Sequence, residues 1–106
     1  MQRLPCEEVQ GLLNRGAQIV DVRTPMEFFQ GSVPGAVNLP VQAIQQARHW
    51  LDPKRPVIVY CRTGNRSAHA KMWLEAMGFE EVYDLGAPYN FASCIPEVVA
   101  DKRRSA

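Results

Sequence analysis

One pattern narrows this chain more than any other: an alternation along its length. Short runs rich in β-branched and aromatic residues, QIVDV (18–22), the end of VPGAVNLP (33–40), PVIVY (56–60) and EVYDL (81–85), are separated by segments with apolar residues at helical spacing. QIVDV and PVIVY are apolar on both alternating faces, the mark of a strand covered on both sides. Strand, helix, strand, helix at this spacing predicts an α/β fold: a small parallel β-sheet of four to five strands with helices on both faces.

The helical segments carry their own punctuation. Cys6, Val9, Leu12 and Leu13 share one face of the first, which places Cys6 in the core, and Asn14-Arg15-Gly16 stops it. Thr24 as N-cap, Pro25 at the first helical position and Glu27 three residues after the cap open a second helix. This helix carries Phe28 and Phe29 and ends at Gly31. Val41, Ile44, Ala47 and Leu51 mark the inner face of a third, broken at Asp52-Pro53. Ala70, Trp73, Leu74 and Met77 form the inner stripe of a fourth, with Gly78 as its stop. Residues 91–100 read as a last helix and 101–106 as a charged, frayed tail, where Lys102-Arg103-Arg104 is a solvated end. No strand is legible in 1–4, and no repeat or linker divides the chain, so 1–106 is expected to be one domain.

Composition excludes several classes. At 106 residues, folding buries roughly 65% of the unfolded surface, enough for a core without covalent staples. The net charge of +1 provides no global field for nucleic acid or an anionic membrane. The start, MQRLPCEEVQ, lacks the apolar segment of a signal peptide and no run reaches membrane-spanning length. With Met1 as the start, a cytoplasmic protein is expected. Three cysteines, an odd number with no CxxC pair, argue against a disulfide framework and against a zinc site.

In an open parallel sheet, sites form beyond the carboxyl ends of the strands. Arg23, Cys61 and Gly86 each follow a strand and fall on that edge. Cys61 opens the stretch CRTGNRS. No proline removes an N–H there, and Gly64 and Asn65 tolerate the positive φ that curls a loop into a nest of donors. A helix starting near Ser67 adds its partial positive charge, and Arg62 and Arg66 add full ones. A thiol so placed is expected to ionise well below its ordinary pKa of ~8.5 and to act as a nucleophile without a general base. Burial at a strand end would account for a cysteine, but not for the two arginines and the Gly-Asn curl. Cys94 could approach Cys61 as a resolving thiol; core packing is the simpler reading. An ionised Cys61 needs no base from His69, and His49 reads as a surface residue. Asp21, Arg23 and Glu27 form either a plain capped turn with an ion pair or a support for the Cys61 loop.

These segments together resemble the rhodanese (thiosulfate sulfurtransferase) family in its single-domain form. IVDVRTPMEFFQGSVPGAVNLP (19–40) is similar to the family's first signature, PVIVYCRTGNRSAHAKMWLEAMGF (56–79) to its active-site strand, loop and helix, and VYDLGA (82–87) to the strand that follows. Ser32 stands where the family often has histidine, and Ala87 where it has a second glycine. The resemblance implies a persulfide on Cys61 and a sulfur donor bound by Arg62, Thr63, Gly64, Asn65 and Arg66; by their place on the Cys61 edge, Asp21, Arg23, Glu27 and Ser67 are expected around that loop in support. It implies a small anionic donor and a cyanide or thiol acceptor, thioredoxin-like or sulfur-carrier proteins among them. No metal or organic cofactor is expected. Phosphatases and arsenate reductases of this fold resemble Cys-x5-Arg instead. Here Arg66 comes five residues after Cys61 and Ser67 six, so the loop is one residue short for a tetrahedral oxyanion. A noncatalytic regulatory module and a redox sensor are the remaining alternatives.

Overall fold

The computed structural model describes residues 3–63 and 65–95. The expected tail, the second half of the expected last helix and Gly64 lie outside the described residues. The elements run α1 (Cys6–Asn14), β1 (Gln18–Asp21), α2 (Pro25–Gln30), β2 (Val37–Asn38), a 3-10 segment (Val41–His49), β3 (Val57–Tyr60), α3 (Asn65–Ala76) and β4 (Val82–Gly86). Two short 3-10 turns follow, Pro88–Asn90 and Ala92–Cys94. The sheet has four strands in the order β2-β1-β3-β4, and every pairing is parallel. Among the described residues no helix is long and apolar enough to cross a membrane.

Alternation along the strands divides the core in two. Val20, Val57, Val59, Cys61 and Val82 face a cluster completed by Ile44 and Ala47 of the 3-10 segment and Ala70 and Leu74 of α3. Ile19, Ile58, Tyr60 and Leu85 face the other side, against Val9 and Leu12 of α1 and Phe91 and Cys94. All four residues of β1 and of β3 are buried, as strands covered on both faces require. Tyr60 and Cys61 are neighbours in sequence and point to opposite layers. That alternation aims the site.

Four expectations change. The stretch from Val41 to His49 is a 3-10 helix, not an α-helix, although Ile44 and Ala47 are buried as its spacing required. Trp73 is 48% exposed, so the inner stripe of α3 is Ser67, Ala70 and Leu74. Trp73 follows Met72, which is also exposed, and the two give the helix a second apolar side. The expected last helix is a pair of 3-10 turns as far as residue 95.

The fourth correction concerns Cys6. It is exposed rather than in the core, and it is disulfide-bonded to Cys94, with the Cα atoms 5.0 Å apart. A single bridge plus one remaining thiol also gives an odd count, so parity alone does not argue against a disulfide. The bridge spans 88 positions and ties the first turn of α1 to the turn after β4. In chain-entropy terms a closed loop of that length stabilises by about 2–5 kcal/mol.

The revised face of α3 is directly testable. Leu74→Ala should lower unfolding free energy by about 2–5 kcal/mol, whereas Trp73→Ala should stay within about 1 kcal/mol of wild type in the same denaturant titration.

Candidate active site

The carboxyl edge is built around a buried carboxylate. Asp21, the last residue of β1, is fully buried. Its Oδ1 accepts the Arg23 backbone N–H (2.9 Å), and both oxygens accept from the Arg23 side chain, with Nη2 to Oδ2 at 2.7 Å. The Tyr60 hydroxyl donates to Oδ2 (2.7 Å) and accepts the Val33 N–H (3.0 Å). Arg23 Nη2 also donates to the Gly31 carbonyl, and its guanidinium lies 5.7 Å from the centre of the Tyr60 ring. Asn38 Nδ2 donates to the carbonyls of both Asp21 and Arg23. One charge thus organises β1, the end of β3, the loop after α2 and β2. Hydrogen bonding to Asp21 holds Arg23 above its ordinary pKa, and burial, with Asp21 as acceptor, raises that of Tyr60.

Cys61 comes directly after Tyr60, on the other face. It is fully buried, and its N–H donates to the Gly86 carbonyl (2.8 Å). The partner strand is irregular here: Val59 pairs with Asp84 but Tyr60 with Gly86, so β4 carries one extra residue. Gly86 has φ 73°, which disfavours any side chain, and the Asp84 carboxylate accepts its N–H (3.0 Å). Bulges of this kind re-aim the backbone beside active sites. This one sits against the cysteine.

Helix α3 begins at Asn65, two residues earlier than expected, so Asn65, Arg66 and Ser67 form its first turn. Ser67 is fully buried, and the Cys61 thiol donates to its Oγ (3.4 Å). Arg66 reaches across to α2 and grips Glu27 with both terminal guanidinium nitrogens, at 2.7 and 3.1 Å. Glu27 also forms the expected capping box, its carboxylate accepting the Thr24 N–H while Thr24 Oγ1 accepts the Glu27 N–H. Arg66, and then Thr24, hold the Glu27 carboxyl down at about 2. Glu27 raises the pKa of Arg66 in turn, and the charge of the Cys61 sulfur adds a smaller rise.

The sequence-predicted residues therefore fall into two connected groups. Cys61, Ser67, Arg66 and Glu27 make one, and Asp21 and Arg23 belong to the other, joined to Cys61 through the backbone of Tyr60. Arg62, Thr63 and Asn65 are exposed. His69 and His49 are both exposed. Cys94 sits in the opposite layer, bonded to Cys6, so it is not a resolving thiol for Cys61. Tyr60 and Asn38 were missed by sequence reasoning. The signal was available: a hydroxyl ending the most apolar strand, and an amide in a two-residue strand, both need buried partners. Among the described residues no group of three or more His, Cys, Asp or Glu could hold a metal ion. A buried thiol beside a hydroxyl, at the first turn of a helix that also carries an arginine, is equipped for nucleophilic chemistry on an anion.

Comparison with known proteins finds relatives of this sequence and fold. The family model described as "Rhodanese-like domain" matches residues 6–87. A thiosulfate sulfurtransferase GlpE of Pseudomonas syringae is 36% identical over 84 residues, 79% of each chain. A sulfurtransferase of Allochromatium vinosum is 39% identical over 67 residues, 63% of each chain. Among solved structures, "rhodanese with anions from E. coli" superposes with a TM-score of 0.65 at 33% identity, covering 72% of this chain and 92% of that one.

Two outcomes follow from the site's electrostatics. Arg23→Ala leaves a buried carboxylate with only an N–H and a phenol, and should lower stability by about 2–4 kcal/mol. Arg23→Lys should recover only part of this, because a point charge cannot reproduce the fork on Asp21; denaturant titration of both variants checks it. Glu27 has its folded pKa depressed to about 2 from 4.5, so its contribution is complete above 4.5 and is lost as pH falls toward 2. Between about pH 5 and about pH 2.5, Glu27→Gln should therefore lose less stability than wild type, measured by urea unfolding at each pH.

Proposed function

The chain belongs to the rhodanese-like family, and on that premise we propose that it is a sulfurtransferase that carries the outer sulfur of thiosulfate to a thiophilic acceptor as a persulfide on Cys61. The observation that carries this reading is the surroundings of Cys61: a thiol at the end of β3, Ser67 Oγ 3.4 Å from its sulfur and Arg66 in the first turn of α3. The name of the Pseudomonas syringae relative supports thiosulfate as donor.

In the first half-reaction the Cys61 thiolate attacks the outer sulfur of thiosulfate. The bond between the two thiosulfate sulfurs breaks, and sulfite leaves with its electron pair. Arg62 and Arg66 meet the charge that moves onto sulfite, and the backbone donors of 62–66 hold the persulfide. Cys61 has no exposed surface, and the persulfide brings a transferable sulfur about 2 Å beyond the cysteine sulfur. In the second half, cyanide attacks that outer sulfur and leaves as thiocyanate, or a thiol removes it as its own persulfide. Either way the Cys61 thiolate is regenerated, and no metal or organic cofactor is required. A thioredoxin-like or sulfur-carrier protein fits the acceptor role, and nucleic acid and membrane have no part in it. A cytoplasmic setting keeps Cys61 reduced between turnovers. Phosphoryl or arsenate chemistry is disfavoured, since Arg66 stands one residue too early for a loop sized to a tetrahedral oxyanion.

Thiosulfate treatment should add one sulfur atom to wild type, cyanide should remove it, and Cys61→Ser should acquire none by intact mass. A charged hydrogen bond contributes about 1.5–3 kcal/mol, so removing an arginine that meets sulfite should lower kcat/KM for thiosulfate roughly 10- to 150-fold. Arg66→Ala should show the larger loss, because Glu27 holds that cation in place while Arg62 is exposed. Thiosulfate should also outperform mercaptopyruvate, which offers these arginines a single carboxylate. Sulfur retained on Cys61→Ser, or thiosulfate kinetics unchanged in both arginine variants, would overturn the reading.

A further inference from the structure

We propose that Cys6–Cys94 is a second sulfur site of this chain, a redox-active disulfide opened by dithiols, which governs how firmly the segment after β4 is held against the catalytic edge. It lies in the layer opposite Cys61, and the sulfur-transfer chemistry makes no use of it.

Its two halves are unequal. Cys6 is exposed in the first turn of α1, whereas Cys94 is 4% exposed, so an incoming thiolate meets the sulfur of Cys6. That attack breaks the disulfide, forms a mixed disulfide on Cys6 and expels Cys94, which takes up a proton. Gln10 Nε2 donates to the Cys94 carbonyl (3.3 Å), a tie that does not depend on the bond between the sulfurs. Cys94 therefore stays close enough to attack the mixed disulfide and expel a monothiol again. A dithiol escapes this return. Its second sulfur attacks its own mixed disulfide, releases the Cys6 thiol and leaves as a cyclic disulfide, a balanced two-electron exchange. Glu7 and Glu8, both exposed in the same first turn as Cys6, further disfavour anionic monothiols such as glutathione, with Arg3 exposed nearby in sequence and Arg15 beside Glu8 as the cations that oppose them among the described residues. The substrate class is a neutral or protein-borne dithiol.

The link to the catalytic edge is a chain of contacts. Cys94 donates its N–H to the Phe91 carbonyl (2.9 Å), and the Phe91 ring meets the Tyr60 ring edge to face at 5.5 Å. Tyr60 binds Asp21 and Val33 and directly precedes Cys61. Opening the bridge leaves the segment from Pro88 to Ile95 held by packing and by weaker ties, Gln10 to Cys94 and Asn90 Nδ2 to the Leu85 carbonyl.

The test uses the full chain. Alkylation in denaturant should modify one cysteine per chain before reduction and three after dithiothreitol. Glutathione at equal thiolate concentration should open about tenfold less or lower still. Chymotryptic cutting at Phe91 should quicken on opening, in reduced wild type and in Cys6→Ser alike. The effect on turnover rests on the sulfur-transfer reading: with cyanide as acceptor, KM for thiosulfate should rise about fivefold on opening with kcat moving less, thiols being recounted after the assay. Three modifiable cysteines in air-oxidised protein would overturn the site, and equal opening by glutathione would overturn the dithiol class. Unchanged cutting at Phe91 would overturn the coupling. Failure of Cys61 to take up sulfur would refute the sulfurtransferase reading alone, since thiol counts and proteolysis do not depend on it.

Discussion

The carboxyl edge of this sheet depends on the burial of Asp21. An isolated carboxylate in a protein interior is too costly to keep ionised, so the fold must supply partners from every direction. Arg23 supplies a guanidinium and an N–H, and Tyr60 supplies a hydroxyl. The same groups reach on to the Gly31 carbonyl and the Val33 N–H, so the loop after α2 cannot move without breaking bonds to the partners of the carboxylate. A network of this kind is a weak source of net stability and a strong source of position. What it positions is the end of β3, and therefore the start of the loop that Cys61 opens.

Register does the rest. Asp21 pairs with Tyr60 across the parallel ladder, which fixes that tyrosine in the layer of Phe91 and turns Cys61 toward α3. A slip by one residue would exchange the two: the phenol would enter the layer of Ala70 and Leu74, and the thiol would face Phe91. The bulge at Gly86 lets the N–H of Cys61 find a carbonyl just where the chain must leave the sheet. Glu27 then closes the arrangement from the other side, since one carboxylate both caps α2 and fixes Arg66.

Much of this is legible in the sequence because it is local. The capping box at Thr24 and Glu27, the doubly buried strands and the strand-loop-helix at Cys61 are written in neighbouring residues, and spacing rules read them well. The misreadings have physical causes. Its i+3 spacing points Trp73 inward, but α3 has apolar residues on two sides and spacing cannot choose between them. Val41 to His49 buries the residues an α-helix would bury, so its tighter 3-10 winding leaves no mark in the pattern. Partners far apart in sequence are the hardest. Arg66 meets Glu27 across 39 positions and Cys6 meets Cys94 across 88, and no local signal announces either. Charge alone puts Arg66 in the donor pocket, without the carboxylate that holds it.

The sheet also solves a problem that a chain with three cysteines must face. A nucleophilic thiol and a disulfide in one small domain can exchange, and exchange requires the attacking sulfur to reach the disulfide. Here the two chemistries occupy opposite layers. Cys61 belongs with Val59, Ala70 and Leu74, and Cys94 with Tyr60, Leu85 and Phe91. The strand itself stands between them, and the Tyr60 ring, packed on Phe91, fills the space on the disulfide's side. The alternation that hides strand β3 on both faces is thus also what keeps Cys61 a thiol. A substitution that shortened the Tyr60 side chain would remove both one partner of Asp21 and the ring packed on Phe91 in the disulfide's layer, which ties the pairing of a buried charge to the separation of the sulfurs.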